Sequence, residues 1–112
     1  MENRKNAKYF LENIIEDITF ILEHTQNITY EQFVNDELLN NAISFKFIQI
    51  SENSKQIPKE IIQNYQDIPW YKINGLRNKI VYDYGAIKLD IIYQTIVDDL
   101  PDLLETIKNI SI

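Results

Sequence analysis

The 112-residue sequence contains no cysteine, only two glycines and only three prolines. Without cysteine there is no disulfide, no thiolate metal ligand and no cysteine nucleophile. So little glycine and proline leaves few turns for a sheet of many short strands, and long helices fit better. No apolar run approaches the roughly 18 residues of a membrane-spanning helix, and the first residues do not form a signal peptide. We therefore expect a helical, soluble protein of the cytoplasm.

The sequence also lacks a basic excess, since its formal net charge is −6. A negative chain argues against a broad nucleic-acid-binding surface, which is normally basic, but it does not exclude RNA at one local cleft. Apolar residues make up 45% of the chain, and a chain of this length builds one core and not two. We expect residues 1–112 to form a single domain.

Apolar residues recur every three or four positions, the spacing of amphipathic helices. This spacing predicts long helices over residues 4–25, from Asp36 as a cap to about Gln56, over 69–83, and over 89–110. Thr29 and Gln32 form a capping-box pattern that begins a short helix through about Val34. The predicted fold class is all-α, an up-and-down bundle of four main helices plus short helices.

Proline and glycine predict where the later helices begin and end. Pro58 suits the first position of a short helix over residues 58–65, and Pro69 does the same for the helix over 69–83. Gly85 is the expected end of that helix, because glycine tolerates the left-handed conformation there. Pro101 removes one backbone hydrogen bond inside the last helix and should kink it.

One short stretch, residues 74–85, carries the pattern that bears most on function. It places Arg77, Tyr82 and Tyr84 at the spacing R-x4-Y-x-Y. On an ideal helix Arg77 and Tyr84 lie about 20° apart on one face, whereas position 82 lies about 140° from Arg77. A distorted helix end or a second copy of the chain would be needed to complete a site. On spacing alone, a solvated arginine beside two half-buried tyrosines is the ordinary interpretation.

Several blocks of sequence occur in the order and spacing of one known family. They are Gln49-Ile50-Ser51-Glu52-Asn53, Ile68-Pro69-Trp70-Tyr71-Lys72-Ile73, Gly75-Leu76-Arg77-Asn78, and Asp99-Leu100-Pro101 with Leu104. Together with the R-x4-H-x-Y frame, in which Tyr82 stands at the histidine position, they resemble the HepT-like toxin branch of the HEPN superfamily. The resemblance covers nearly the whole chain and implies a HEPN-like helical bundle.

The resemblance implies an RNase toxin of a type VII-like HEPN/minimal nucleotidyltransferase toxin–antitoxin system, which cleaves RNA without a metal or cofactor. Arg77 would be the catalytic arginine that binds phosphate, and Asn78 would support it. Tyr82 would occupy the place of the catalytic histidine. Tyr84 would be the acceptor of AMP from a minimal nucleotidyltransferase antitoxin.

Tyr82 is the departure from the family pattern that matters for activity. RNA cleavage needs a base for the 2′-OH proton, and histidine suits this because it titrates near neutral pH. A phenol holds its proton at neutral pH and is a poor base. We therefore expect a weak or inactive nuclease. The alternative is a non-catalytic helical dimer module that binds a nucleotidyltransferase or another protein.

A homodimer is expected from the helix that carries the motif. Its apolar residues, Ile73, Leu76, Ile80 and Val81, lie on more than one side, and a helix that is apolar on two faces usually has two partners. Dimerisation would bring together the basic residues most suited to line an RNA cleft, which are Arg4, Lys5, Lys72 and Lys79.

Other candidate groups have simpler interpretations. The first helix carries Glu12, Glu16, Asp17 and Glu23, but the Glu-x-x-His sequence of di-iron bundles is absent, so a solvated charged face is expected and no metal site. The one histidine, His24, lies far from Arg77 in sequence. Asp98, Asp99 and Asp102 suit a solvated face around Pro101. Tyr65, Trp70 and Tyr71 could stack on nucleobases but more often belong to a core or an interface.

Overall fold

The computed structural model describes residues 2–110, with side chains from Asn6 onward. Within that range the regular elements are eight α-helices: α1 Glu2–His24, α2 Tyr30–Asn35, α3 Glu37–Ser54, α4 Lys59–Asn64, α5 Trp70–Asn74, α6 Leu76–Ile80, α7 Leu89–Asp98 and α8 Leu100–Lys108. A single antiparallel bridge joins Val81 to Ile87. The predicted all-α fold class is confirmed.

Helices α1 and α3 form the centre of the bundle. The buried side of α1 repeats every three or four residues through Ala7, Leu11, Ile14, Ile18 and Ile21. Two polar contacts show that the helices are antiparallel, because position 13 pairs with 53 at 3.3 Å and position 17 pairs with 46 at 3.2 Å. Helix α1 also packs against α8, and α3 packs against α5 and α6.

Side-chain caps begin α2 and α3 where the sequence predicts them. The backbone N–H of Gln32 donates to Thr29 Oγ1 at 3.1 Å, and the Gln32 side chain accepts from the Thr29 backbone at 2.9 Å. Asp36 accepts from the Leu39 N–H at 3.0 Å. Pro58 and Pro69 each stand one residue before the helix that they introduce. The Thr29 and Asp36 side chains satisfy N–H groups that would otherwise have no partner.

The predicted helix over 69–83 is wrong beyond Ile80. Helices α5 and α6 meet at Gly75, and α6 ends at Ile80, after which Val81 is extended with φ −112° and ψ 128°. Val81 is β-branched and pairs with the chain returning at Ile87, a conformation that such residues favour. Gly85, with φ +89°, forms the turn between them and does not end a helix.

The predicted helix over 89–110 is divided at Asp99 and is not merely kinked. Helix α7 ends at Asp98, and α8 begins at Leu100 with Pro101 in its first turn. A proline in the first turn loses no helical hydrogen bond, because the first N–H groups of a helix have no partner within it. The chain therefore starts a new helix at this point.

A buried polar contact attaches the α5–α6 junction to α3. The Ser51 hydroxyl donates to the Asn74 carbonyl at 2.7 Å, and the Ser54 hydroxyl donates to Asn74 Oδ1 at 2.6 Å. Both serines are buried, so these bonds satisfy polar groups that would be costly to leave unpaired. They hold the start of α6 against the centre of the bundle.

The apolar side chains of α5 and α6 are buried within the chain itself. Ile73, Leu76 and Ile80 belong to the core and Val81 packs against it, with α3 and α7 as the neighbouring elements. The two-sided apolar pattern therefore reflects partners inside one protomer and does not require a second copy. Over residues 2–110, none of the helices has the length and apolar character needed to cross a membrane.

Candidate active site

Arg77 lies on the exposed side of α6. Its Nη1 donates to Asn78 Oδ1 at 3.3 Å, and no carboxylate among the described residues forms an ion pair with it. Asn78 therefore contacts Arg77, and its supporting role in a site stays a prediction. An exposed guanidinium without an acidic partner can bind phosphate oxygens through two parallel N–H donors.

Tyr82 and Tyr84 lie on a short hairpin, residues 81–87, that follows α6 directly. The Tyr82 N–H donates to the Ala86 carbonyl at 2.7 Å, and the Gly85 N–H donates to the Tyr82 carbonyl at 2.8 Å. Val81 and Ile87 are half-buried and anchor the hairpin on the core. The two tyrosine side chains are exposed, by 42% for Tyr82 and 80% for Tyr84.

The two tyrosine rings stack on each other. Their centroids are 5.3 Å apart and their planes differ by 5°. The ammonium of Lys88, at the end of the hairpin, lies 4.8 Å from the centre of the Tyr82 ring. Both contacts are attractive for an aromatic ring. The hairpin therefore presents an ordered aromatic pair and not two independent side chains.

The angles expected from an ideal helix are wrong for this motif, because only Arg77 and Asn78 are on α6. Tyr84 does not share a helical stripe with Arg77, and position 82 is not separated from it by helical rotation. The Val81 N–H donates to the Arg77 carbonyl at 3.1 Å, so the hairpin begins one turn after the arginine. The half-buried tyrosines expected from spacing alone are instead exposed.

A groove of about 960 Å³ lies beside α6 on another side. It is lined by Asn78 and Lys79 but not by Arg77, Tyr82 or Tyr84. Its charged residues are Lys55, Lys72 and Lys79 together with Asp98, Asp99 and Asp102. Equal numbers of basic and acidic side chains make it unsuited to a polyanion such as RNA. The hairpin side of α6 is therefore the better candidate site.

Basic charge is concentrated around the motif. Residues 72–88 contain four basic side chains, Lys72, Arg77, Lys79 and Lys88, and one acidic side chain, Asp83. This segment carries a net charge of +3, whereas the whole chain carries −6, which leaves −9 on the other residues. A locally basic segment on an acidic protein can attract phosphate at one place without a basic surface overall. Arg4 and Lys5, the other basic candidates, lie outside the described side chains.

His24 does not contribute to this site. Its ring stacks on Phe20 with centroids 4.0 Å apart, and its Nδ1 lies 2.8 Å from the Phe20 carbonyl. Among the described residues no hydrogen bond or ring contact joins His24 to Arg77 or to the hairpin. The chain has no other histidine.

The acidic and aromatic candidates lie apart from the motif. Within the described part of the chain, no three acidic or histidine side chains are close enough to hold a metal ion. Burial raises the pKa of Asp17 above its ordinary 3.8, and the adjacent Lys46 opposes this. Trp70 is in the core, as expected, with its indole N–H donating to the Tyr65 carbonyl at 3.0 Å. Tyr71 is 92% exposed and is not a core residue.

Two features of the site were missed from the sequence. One is Lys88, which contacts the Tyr82 ring because the hairpin brings residue 88 back beside Ile80. The Lys88 N–H donates to the Ile80 carbonyl at 2.7 Å. The other is the hairpin itself. The pattern Val81-Tyr82-Asp83-Tyr84-Gly85 followed by Ile87 contained the signal, because β-branched residues flank a short turn with glycine.

Comparison with known proteins gives one consistent result. The ribonuclease HepT-like family matches residues 14–110. A protein of Caldanaerobacter subterraneus named "Putative RNase" is 32% identical over 106 residues, which are 95% of each chain. A protein of Thermococcus cleftensis named "Probable ribonuclease HepT" is 30% identical over 100 residues, 89% of this chain and 91% of that one. No solved structure matches significantly. The chain belongs to the ribonuclease HepT-like family.

Proposed function

We propose that this chain is a metal-independent ribonuclease of the toxin–antitoxin type, folded as a single domain and weakened by tyrosine at position 82. The observation that carries the proposal is the exposed Arg77, which has no acidic partner among the described residues and directly precedes the hairpin with Tyr82 and Tyr84. Membership of the ribonuclease HepT-like family supports RNA as the substrate.

In the proposed reaction the chain holds one RNA phosphate at Arg77. The 2′-oxygen of the preceding nucleotide attacks the phosphorus, and its proton passes to a base. The bond from phosphorus to the 5′-oxygen breaks, which gives a 2′,3′-cyclic phosphate and a 5′-oxygen that takes up a proton from an acid or from water. The Arg77 guanidinium stabilises the negative charge that develops on the phosphate. Asn78 orients the guanidinium through the 3.3 Å hydrogen bond. A histidine at position 82 would take the proton, and a phenol does so poorly.

The test is to restore the histidine. Tyr82→His should increase cleavage of RNA, and also toxicity on expression, because general-base catalysis contributes about 10²- to 10⁴-fold. Adding Arg77→Ala should abolish the gain, and EDTA should leave it intact. The matched control is Tyr82→Phe, which removes the hydroxyl and keeps the ring. Equal cleavage by the original chain and by Tyr82→His would show that position 82 is not the base.

A second function, a non-catalytic module for a protein partner, is favoured by one observation. Leu38 and Phe45 lie two turns apart on α3 and are both exposed, Leu38 by 85%. Large apolar side chains on one exposed stripe are typical of protein-binding surfaces. If Tyr82→His cleaves no RNA while the chain still binds a nucleotidyltransferase, this second function is the better description.

A further inference from the structure

We propose that the stacked Tyr82–Tyr84 pair is a platform for one unpaired nucleobase of single-stranded RNA, with Tyr84 supplying the outer surface. This inference names how the proposed substrate is held, and so it rests on the proposed function. It assigns position 82 a part in binding RNA that does not depend on proton transfer.

The outer ring of the pair has a free surface. Tyr84 is 80% exposed although its ring stacks on Tyr82, so most of the Tyr84 ring remains open to solvent. A planar aromatic surface of this kind gains free energy when a base stacks on it, and the gain does not depend strongly on which base is bound.

The tyrosine pair is held in place without RNA. The hairpin is closed by the hydrogen bonds of Tyr82 with Ala86 and Gly85, at 2.7 and 2.8 Å. Lys88 contacts the Tyr82 ring at 4.8 Å and the two ring planes are within 5° of parallel. An ordered pair loses little conformational freedom when it binds a base.

Basic groups lie beside the platform. A base can reach the outer ring only if its phosphates tolerate the surroundings, and the Lys88 ammonium lies 4.8 Å from the centre of the Tyr82 ring. Arg77 precedes the hairpin by one turn. Phosphate contacts that position a strand, combined with aromatic contacts that hold a base, are the usual composition of single-strand sites.

The experiment measures binding without any cleavage. The probe is a fluorescein-labelled 2′-O-methyl oligoadenylate, which has no free 2′-OH to attack the phosphate, and the comparison strand is abasic with the same number of phosphates. Fluorescence anisotropy at low salt gives the affinity of the original chain for both strands. Stacking predicts tighter binding to oligoadenylate than to the abasic strand.

Substitutions then separate the base from the phosphate. Tyr84→Ala should weaken binding to oligoadenylate by about 5- to 150-fold, the range for one stacked base, and leave the abasic strand unchanged. Tyr84→Phe should retain the affinity, because stacking needs the ring and not the hydroxyl. Arg77→Ala should weaken both strands alike. Tyr9→Ala is the matched control, an exposed tyrosine on α1.

Two results would overturn the platform. One is equal affinity of the original chain for the two strands, or no binding to either. The other is unchanged binding of oligoadenylate by a folded Tyr84→Ala variant, which circular dichroism checks. Because the probe cannot be cleaved, neither result depends on whether Tyr82→His restores a nuclease, and the two proposals can fail separately.

Discussion

Tyr82 and Tyr84 differ in their exposure to solvent. Tyr84 is exposed by 80% and Tyr82 by 42%, with Lys88 against the Tyr82 ring. The more exposed of the two tyrosines is the one that the family resemblance assigns to AMP.

We expect a minimal nucleotidyltransferase encoded beside this chain to transfer AMP from ATP to Tyr84. The added phosphate could pair with Arg77 and would cover the outer ring, so modification should block both phosphate and base. Mass spectrometry after incubation with the partner and ATP locates the adduct, with Tyr84→Phe and Tyr82→Phe as matched variants. An adduct on Tyr82 alone would show that Tyr82, and not Tyr84, is the acceptor.

Asp17 makes the free energy of unfolding depend on pH. Burial raises its folded-state pKa above 3.8, more than the ion pair with Lys46 lowers it. The folded protein therefore binds this proton more tightly than the unfolded chain. The stabilising contribution is complete below about pH 3.8 and is lost as pH rises through the raised pKa.

Asp17→Asn removes this titration. The free energy of unfolding of the variant, minus that of the original chain, should increase as pH rises from the acid range toward neutrality. Taking the difference cancels the other carboxylates. Urea unfolding at several pH values measures it. A difference that decreases with pH would mean that the Lys46 ion pair outweighs burial.

The hairpin is the element whose geometry depends most on one residue. Gly85 has φ +89°, where a residue with a Cβ is strained, although an added Cβ would meet nothing within 4 Å. Its turn sets the direction of Tyr84 and returns the chain to Ile87 and Lys88. Conformational strain and not crowding is therefore the expected effect of substitution.

Gly85→Ala should destabilise the protein by about 1–2 kcal/mol, the cost of a left-handed conformation with a side chain. Gly75→Ala is the matched control. Gly75 has φ −86° and an added Cβ would lie 3.4 Å from the Tyr71 carbonyl, an ordinary contact. It should be neutral or stabilising by up to about 1 kcal/mol. Urea midpoints compare the two, and equal effects would contradict the role of φ.

At the scale of the whole molecule, neither observation that predicted a homodimer from the sequence remains, because position 82 is not on the helix of Arg77. The homodimer stays a proposal. The apolar residues of α6 are buried within the protomer. What still favours a second copy is the single guanidinium at each candidate site, together with exposed apolar side chains such as Leu38 and Phe45. A two-fold axis beside α6 would place two arginines at one cleft.

The absence of cysteine makes this arrangement testable. A single cysteine at the exposed Asp83, in the hairpin that follows Arg77, should link two protomers through a short bismaleimide, whereas one at the exposed Gln26, in the turn after α1, should not. Sedimentation of the original chain at tens of micromolar should give twice the protomer mass. A monomer at that concentration, or equal linking at both positions, would contradict a dimer around Arg77.

The sequence alone determined the fold class, the two long helices α1 and α3, and the family. Apolar spacing, the Thr29–Gln32 box and the Asp36 cap are local signals, and they act over three or four residues where backbone geometry is regular. The motif blocks identified the family because they are read in order along the chain. The sequence also placed Arg77 and Asn78 on a helix, and both lie on α6.

The tertiary structure decided where α6 ends and what the tyrosines do. Apolar periodicity continues through Val81 and competes with the short turn signal at Gly85, so the local pattern alone does not choose between a helix over 69–83 and a short helix followed by a hairpin. The choice depends on the pairing of Val81 with Ile87 and their packing on the core. That pairing allows Tyr82 to stack on Tyr84 and to contact Lys88. A continuous helix would have pointed these side chains in different directions.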